Sequence, residues 1–353
     1  MGGLFGFGSP RAIGHLRRAA QLDPDNPENL VGLGAAFGAT GDFEQELSAY
    51  RRAYETDTGY FRAVAAFAVA TAEMGQRDKA ERIARSLGMK DVQRDLLLGK
   101  VAWISGDYSE AVRRWSLVEA AESPRWSEAA RRYRDEGEQY LRIGLGPQVR
   151  IPRPLDQRHL GRIEMTAPPS PEQWRLMNRN AMAAAVYRDE NHVAAKLMLN
   201  SGRWRELVEA YDGPGGVAGI RSVEPLRADQ VAEAPVAILA LRLAGRRTEA
   251  DRLIQQANMH LAAAYGRGQV PLWLEMQRAA VLAVQGQADS AVNSLALAID
   301  RGWRPGGSTD LDDLSDEPAF ASLRTDRRFQ RMRSRLTAEG ARERRETLAL
   351  PRP

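Results

Sequence analysis

Four histidines, His15, His159, His192 and His260, are the residues of this 353-residue chain best suited to metal or acid–base chemistry. A histidine becomes a zinc ligand or a working general base only beside a second ligand or a nucleophile at a defined spacing. None of the four stands in an HExxH pair or another paired ligand spacing. Cysteine is absent, which removes disulfides, cysteine-ligated zinc, iron–sulfur clusters and thiol nucleophiles. There is no GxSxG elbow and no phosphate loop of the GxxxxGK type. The glycines of Gly213–Gly216 lack the lysine and hydroxyl that cradle a phosphate, so they read as a plain loop. Asp310–Glu317 is acidic enough to suggest calcium, but lacks the loop glycine and terminal bidentate glutamate of an EF-hand. Helix capping in a solvated turn is the better reading there. The expectation is a protein without catalytic residues, cofactor or metal.

Charge offers a second kind of chemistry. Fifty basic residues face 46 acidic ones, for a net charge of +4. Lysine occurs only at Lys79, Lys90, Lys100 and Lys196, so nearly all the positive charge is arginine. Arg327, Arg328, Arg331 and Arg335 are the densest group, and Arg327, Arg331 and Arg335 fall on one helical stripe. Such a stripe can hold phosphate groups or an acidic partner. No aromatic platform for base stacking is interleaved, and Glu339, Glu343 and Glu346 follow closely. A solvated charged face is therefore favoured over a nucleic-acid surface.

No run of about 18 apolar residues is present to span a bilayer. The opening residues lack the basic flank and apolar core of a signal peptide, and Gly6 stands where a myristoylation signal needs Ser or Thr. A soluble, cytoplasmic protein is expected.

The elements that would position these side chains are helices joined by a recurring turn. Gly41, Gly75, Gly106, Gly202, Gly245 and Gly286 each end one helical pattern, and a polar or charged residue opens the next. Glycine takes the left-handed conformation that closes a helix, and a following Asp, Ser or Thr can cap its successor. Asp107 with Glu110, and Asp78 with Glu81, have the spacing of a capping box. After the turns, apolar or small residues recur at helical spacing, as in Ala111, Trp115 and Val118, and in Ala250, Ile254 and Ala257. The first three turns are 34 and 31 residues apart, the last three 43 and 41. A period of about 34 with paired helices marks a stack of hairpins that bury their apolar faces on one another.

Prolines at 147, 152, 154, 168, 169 and 171 forbid a continuous helix between Leu145 and Pro171. Four parts follow: a helical array at 1–144, a proline-rich linker or docked segment at 145–171, a second array at 172–304, and closing helices with a charged tail at 305–353. Phe320, Leu323, Phe329 and Met332 would make that last part the cap of the stack.

These motifs resemble the tetratricopeptide repeat. In Leu30–Phe37, Leu33 and Gly34 match the Leu-Gly pair of the first-helix pattern, and Leu98 with Gly99 repeats it. The second-helix pattern of alanine and a large residue four positions on stands at Ala111/Trp115, Ala250/Ile254 and Ala291/Leu295, while Glu46 takes the alanine place in the opening repeat. The closing stretch, an aspartate-rich turn followed by "PAF" and "RRF", is similar to those of bacterial proteins of this family.

The resemblance implies an all-α, tetratricopeptide-like α-solenoid of antiparallel hairpins in two arrays. It also implies that the first helix of each hairpin lines a concave groove for a peptide or partner helix. By register, Arg62, Gln93, Lys100 and Trp103 face that groove in the first array, and His192, Lys196 and Asn200 in the second. Family members that grip a terminal carboxylate carry lysine and asparagine in the groove. Val31 and Ala35 stand in the first such pair, whereas Lys196 and Asn200 keep a trace of it. The implied function is a non-catalytic protein–protein scaffold. The alternative is a regulatory or sensor arm whose arginine-rich tail touches an anion or nucleic acid.

Overall fold

The computed structural model describes residues 10–86, 91–120, 226, 228–305 and 314–350, with Arg134, Leu199, Gly202, Trp204, Arg205, Leu207 and Val208 as isolated positions. Among the described residues every regular element is a helix. The N-terminal group is α1 (Pro10–Leu22), α2 (Pro27–Ala39), α3 (Phe43–Thr56), α4 (Phe61–Glu73), α5 (Arg77–Arg85), α6 (Asp91–Ile104) and α7 (Tyr108–Ala120). The C-terminal group is α8 (Ala228–Leu243), α9 (Arg247–Gly266), α10 (Leu272–Val284) and α11 (Ala288–Asp300). Two short 3-10 turns, Leu314–Asp316 and Pro318–Leu323, then lead to α12 (Arg327–Leu348). No described helix is long and apolar enough to cross a membrane.

All six turn glycines take the left-handed conformation, with φ of 76° at Gly41 and Gly75, 77° at Gly106, 73° at Gly202, 75° at Gly245 and 80° at Gly286. The hydrogen bonding repeats as well. At the first turn Gly41 N–H donates to the Gly38 carbonyl at 3.0 Å and Asp42 N–H to the Phe37 carbonyl at 2.9 Å. The same pair of bonds closes the helices at Gly75, Gly106, Gly245 and Gly286, satisfying carbonyls that a helix end would otherwise leave open. Asp42 and Asp107 cap as expected, accepting from Gln45 N–H at 3.3 Å and Glu110 N–H at 3.2 Å. The reciprocal half of the box is missing, because Glu110 turns to Arg113 and Arg114. The second expected box fails outright. Gln76 precedes α5, Asp78 lies inside it, and Glu81 is held by Arg77 and Arg85.

Consecutive helices of the N-terminal group pack on one another, and α4 also touches both α2 and α6. The Leu-Gly positions explain the hairpins. A Cβ on Gly34 would collide with the Tyr50 ring, and one on Gly99 with the Trp115 indole. Each glycine thus admits a large ring from the following helix, and Trp115 is buried with its Nε1–H donating to the Leu96 carbonyl at 3.3 Å. The main N-terminal core joins Leu30, Tyr50, Ala53, Val64, Phe67, Ile83 and Val101.

The C-terminal core runs from Val231 through Ile238, Leu253, Leu274, Met276, Leu295 and Trp303 to Phe320, Leu323 and Phe329. The expected capping residues do fill it: Phe320 and Phe329 meet edge to face at 5.8 Å, and Met332 packs alongside. This core also takes in Phe43 and Met74 of the N-terminal group, and Phe43 stands edge-on to Trp273 at 5.8 Å. The two groups are therefore in direct contact. The Gly41 turn abuts His260 of α9, the Gly75 turn abuts Leu272 and the Arg301 carbonyl, and the Gly106 turn abuts Arg304. The proline-rich 145–171 and the end of the first expected array, 121–144, lie outside the described residues, Arg134 excepted.

Candidate partner-binding face

Helices α2, α4 and α6 carry the N-terminal residues expected to face a partner. Arg62, at the start of α4, reaches back one hairpin to Glu28 on α2, and Tyr60 donates to the same carboxylate. This bridge is exposed, so it orients the two helices and adds little stability. Gln93 is half-buried near the start of α6. Lys100 is half-buried on α6, and its charge acts on Glu73. Trp103 is half-buried too, edge-on to Tyr108 at 4.7 Å and tilted against Trp115 at 5.9 Å. Its ring thus joins the packing of the α6–α7 hairpin while keeping a solvent edge. His192, Lys196 and Asn200 lie outside the described residues.

A group of side chains that register alone did not mark lies behind this face. Glu46 of α3 lays its carboxylate over Gly38 of α2, where a Cβ would stand 2.5 Å from Oε1. The pair is a matched exchange: an acid in the alanine place, and no side chain opposite it. Burial pushes the Glu46 carboxyl up to about 8, the Glu73 charge adds to the rise, and a hydrogen bond with Tyr50 opposes it. Burial likewise raises Glu73 to about 7, against the pull of Lys100. The Tyr50 hydroxyl is raised by burial and by both carboxylates. Two acids and one lysine make this region acidic and short of positive charge. The signal in the sequence was the misfit of Glu46 with the repeat; its proximity to Glu73 needed the stacking of α3 on α4.

The arginine stripe of α12 divides. Arg328 is engaged by Asp326 at 2.7 Å and Asp289 at 2.6 Å, and Arg335 by Glu339 at 3.0 Å and Asp300 at 3.2 Å. Arg327 and Arg331 are exposed. Two of the four arginines, Arg328 and Arg335, thus tie α12 to the carboxylates of α11, which reduces what the group can offer an anion.

Of the expected histidines, His260 is buried in α9, with Nδ1 2.7 Å from the Leu226 carbonyl and its ring against Gly41. It serves the contact between the helix groups. Glu275 is also buried and meets Arg301 at 2.9 Å, with Tyr265 donating to its second oxygen. Arg301 donates as well to the Val270 carbonyl at 3.1 Å, and both carboxylate oxygens of Glu275 are hydrogen-bonded. Among the described residues no group of His, Asp and Glu is placed to hold a metal ion. No family model matches the chain, and no curated protein matches it.

Proposed function

We propose that the chain is a tetratricopeptide-like solenoid that works as a non-catalytic scaffold, holding a peptide or partner helix against the face built by α2, α4 and α6. The observation that carries this reading is the contact of α4 with both α2 and α6, each separated from it in the chain by one further helix. Stacked hairpins with alternate helices in line form a continuous surface suited to an extended ligand. Arg62, Lys100 and the solvent edge of Trp103 supply charge and an aromatic surface on it. Glu46 and Glu73 lie beneath it, half-buried, with carboxyls raised by burial.

Partner capture from lysate on the immobilised full chain tests the proposal. A specific partner should be retained by the native chain and by an Arg327→Ala/Arg331→Ala control. It should be lost on Val69→Arg, at a half-buried position of α4, with Lys100→Glu on α6. A partner kept by the α4/α6 variant and lost by the α12 variant would move the function to the C-terminal helix.

A further inference from the structure

Helix α12 is two different helices end to end. Its first half is fixed by apolar burial: Phe329 and Leu336 are buried in the C-terminal core, with Met332 beside them, and Arg328 and Arg335 bind carboxylates of α11. Its second half leaves that core and crosses onto α7. Among the described residues beyond Leu336 no apolar side chain is buried; the buried positions are Glu343 and Thr347, and Leu348 is exposed.

What holds the second half is polar. The Glu343 carboxylate accepts from the Ser109 backbone N–H at 3.1 Å, and the Glu346 carboxylate from the Ser109 hydroxyl at 3.4 Å. Ser109 is in the first turn of α7, where backbone N–H groups are free and the helix dipole favours a negative charge. Glu343 therefore completes a cap that Asp107 begins. Between the two halves, Arg304 binds Glu339 at 2.7 Å.

Packing around this crossing is open. A cleft of about 370 Å³ lies on one side, bordered by Arg77, Arg113, Glu346 and Leu350. One of about 880 Å³ lies on the other, bordered by Ser105, Arg304, Thr337 and Arg344. Apolar burial is the main source of docking stability, and a hydrogen bond exchanged with water adds little. A seam to which α12 brings no buried apolar side chain beyond Leu336, and which is flanked by clefts, opens at small cost.

We propose that α12 beyond Leu336 is a releasable strap: it closes on α7 through Glu343 and Glu346, and opens as one unit while Phe329 to Leu336 stay docked. Opening joins the two clefts and uncaps α7. Pro305 still holds the start of α7, because the Tyr108 hydroxyl donates to its carbonyl.

Hydrogen exchange resolved by residue on the full chain tests this. The amides of 341–348 and of Ser109 should share one level of protection, about tenfold or more below that of 329–336. Glu343→Gln should speed exchange at both sets together and leave 329–336 unchanged. Because the chain lacks cysteine, a Ser109→Cys/Glu343→Cys pair is a clean lock, and its oxidised form should raise 341–348 to the protection of 329–336. Equal protection along all of α12 would overturn the proposal. So would loss graded residue by residue toward Leu348 with Ser109 unmoved, since that is ordinary fraying of a helix end.

Discussion

The Gly75 backbone lies against the carbonyl oxygen of Arg301, so closely that a Cβ on Gly75 would stand 2.7 Å from it. The glycine thus has two duties: it closes α4 at positive φ, and it admits the C-terminal helix group. Gly286 has the first duty alone, for nothing lies within 4 Å of where its Cβ would be. Alanine at either site meets the left-handed penalty of about 1–2 kcal/mol. Gly75→Ala must also move backbone at the contact, raising its loss to about 3 kcal/mol or more. Denaturant unfolding of the two variants measures the difference. Equal losses would mean that the two helix groups do not meet at Gly75.

Glu46 and Glu73 make stability fall as pH rises. Both carboxyls are raised in the folded chain, to about 8 and about 7. The folded state therefore binds more protons than the unfolded one between the ordinary glutamate value and these raised values. By linkage, stability is greatest near the bottom of that window and declines through pH 7 and 8, levelling off above. The total decline is on the order of a few kcal/mol. Glu46→Gln keeps a hydrogen-bonding group over Gly38 and removes the upper titration, so its stability should change little from pH 7 to 9. A native chain as stable at pH 9 as at pH 6 would refute the assignment.

How much of this was legible in the sequence depends on range. The turns were, because a left-handed glycine and its cap are local: Gly41 with Asp42 and Gly106 with Asp107 behave as their spacing says. Asp78 misled because Gln76 directly follows the Gly75 turn, so α5 begins one residue before it. The hairpin contacts Gly34–Tyr50 and Gly99–Trp115 are nearly local and follow from the repeat pattern. The contacts of Gly41, Gly75 and Gly106 with His260, Arg301 and Arg304 span hundreds of residues and leave no periodic trace. The same holds for Glu343 at Ser109, where an ordinary charged helix face hides a helix cap.

The buried pair Glu275–Arg301 separates two kinds of loss. Removing one partner strands a charge, whereas removing both leaves a neutral site. Arg301→Met should cost about 3 kcal/mol, because Glu275 is 3% exposed and would keep only Tyr265. Glu275→Gln combined with Arg301→Met should recover a large part of that loss. A double-mutant cycle by thermal or denaturant unfolding gives the coupling directly. Additive losses would show that the two side chains act independently.

Trp103 and Trp115 are neighbours at 5.9 Å with different duties. Trp115 is 2% exposed, fills the space left by Gly99 and donates to Leu96. Its replacement by alanine should cost about 3–5 kcal/mol, the range for a buried aromatic in a rigid site. Trp103 keeps a solvent edge, so Trp103→Ala should cost less, about 1–2 kcal/mol, and leave the helical circular dichroism unchanged. If α6 belongs to a partner-binding face, that folded variant should bind a captured partner at least about tenfold more weakly, as expected on losing an aromatic anchor. Trp103→Phe, which retains a ring against Tyr108, should restore most of the affinity. A Trp103→Ala chain as unstable as Trp115→Ala would assign the residue to packing alone.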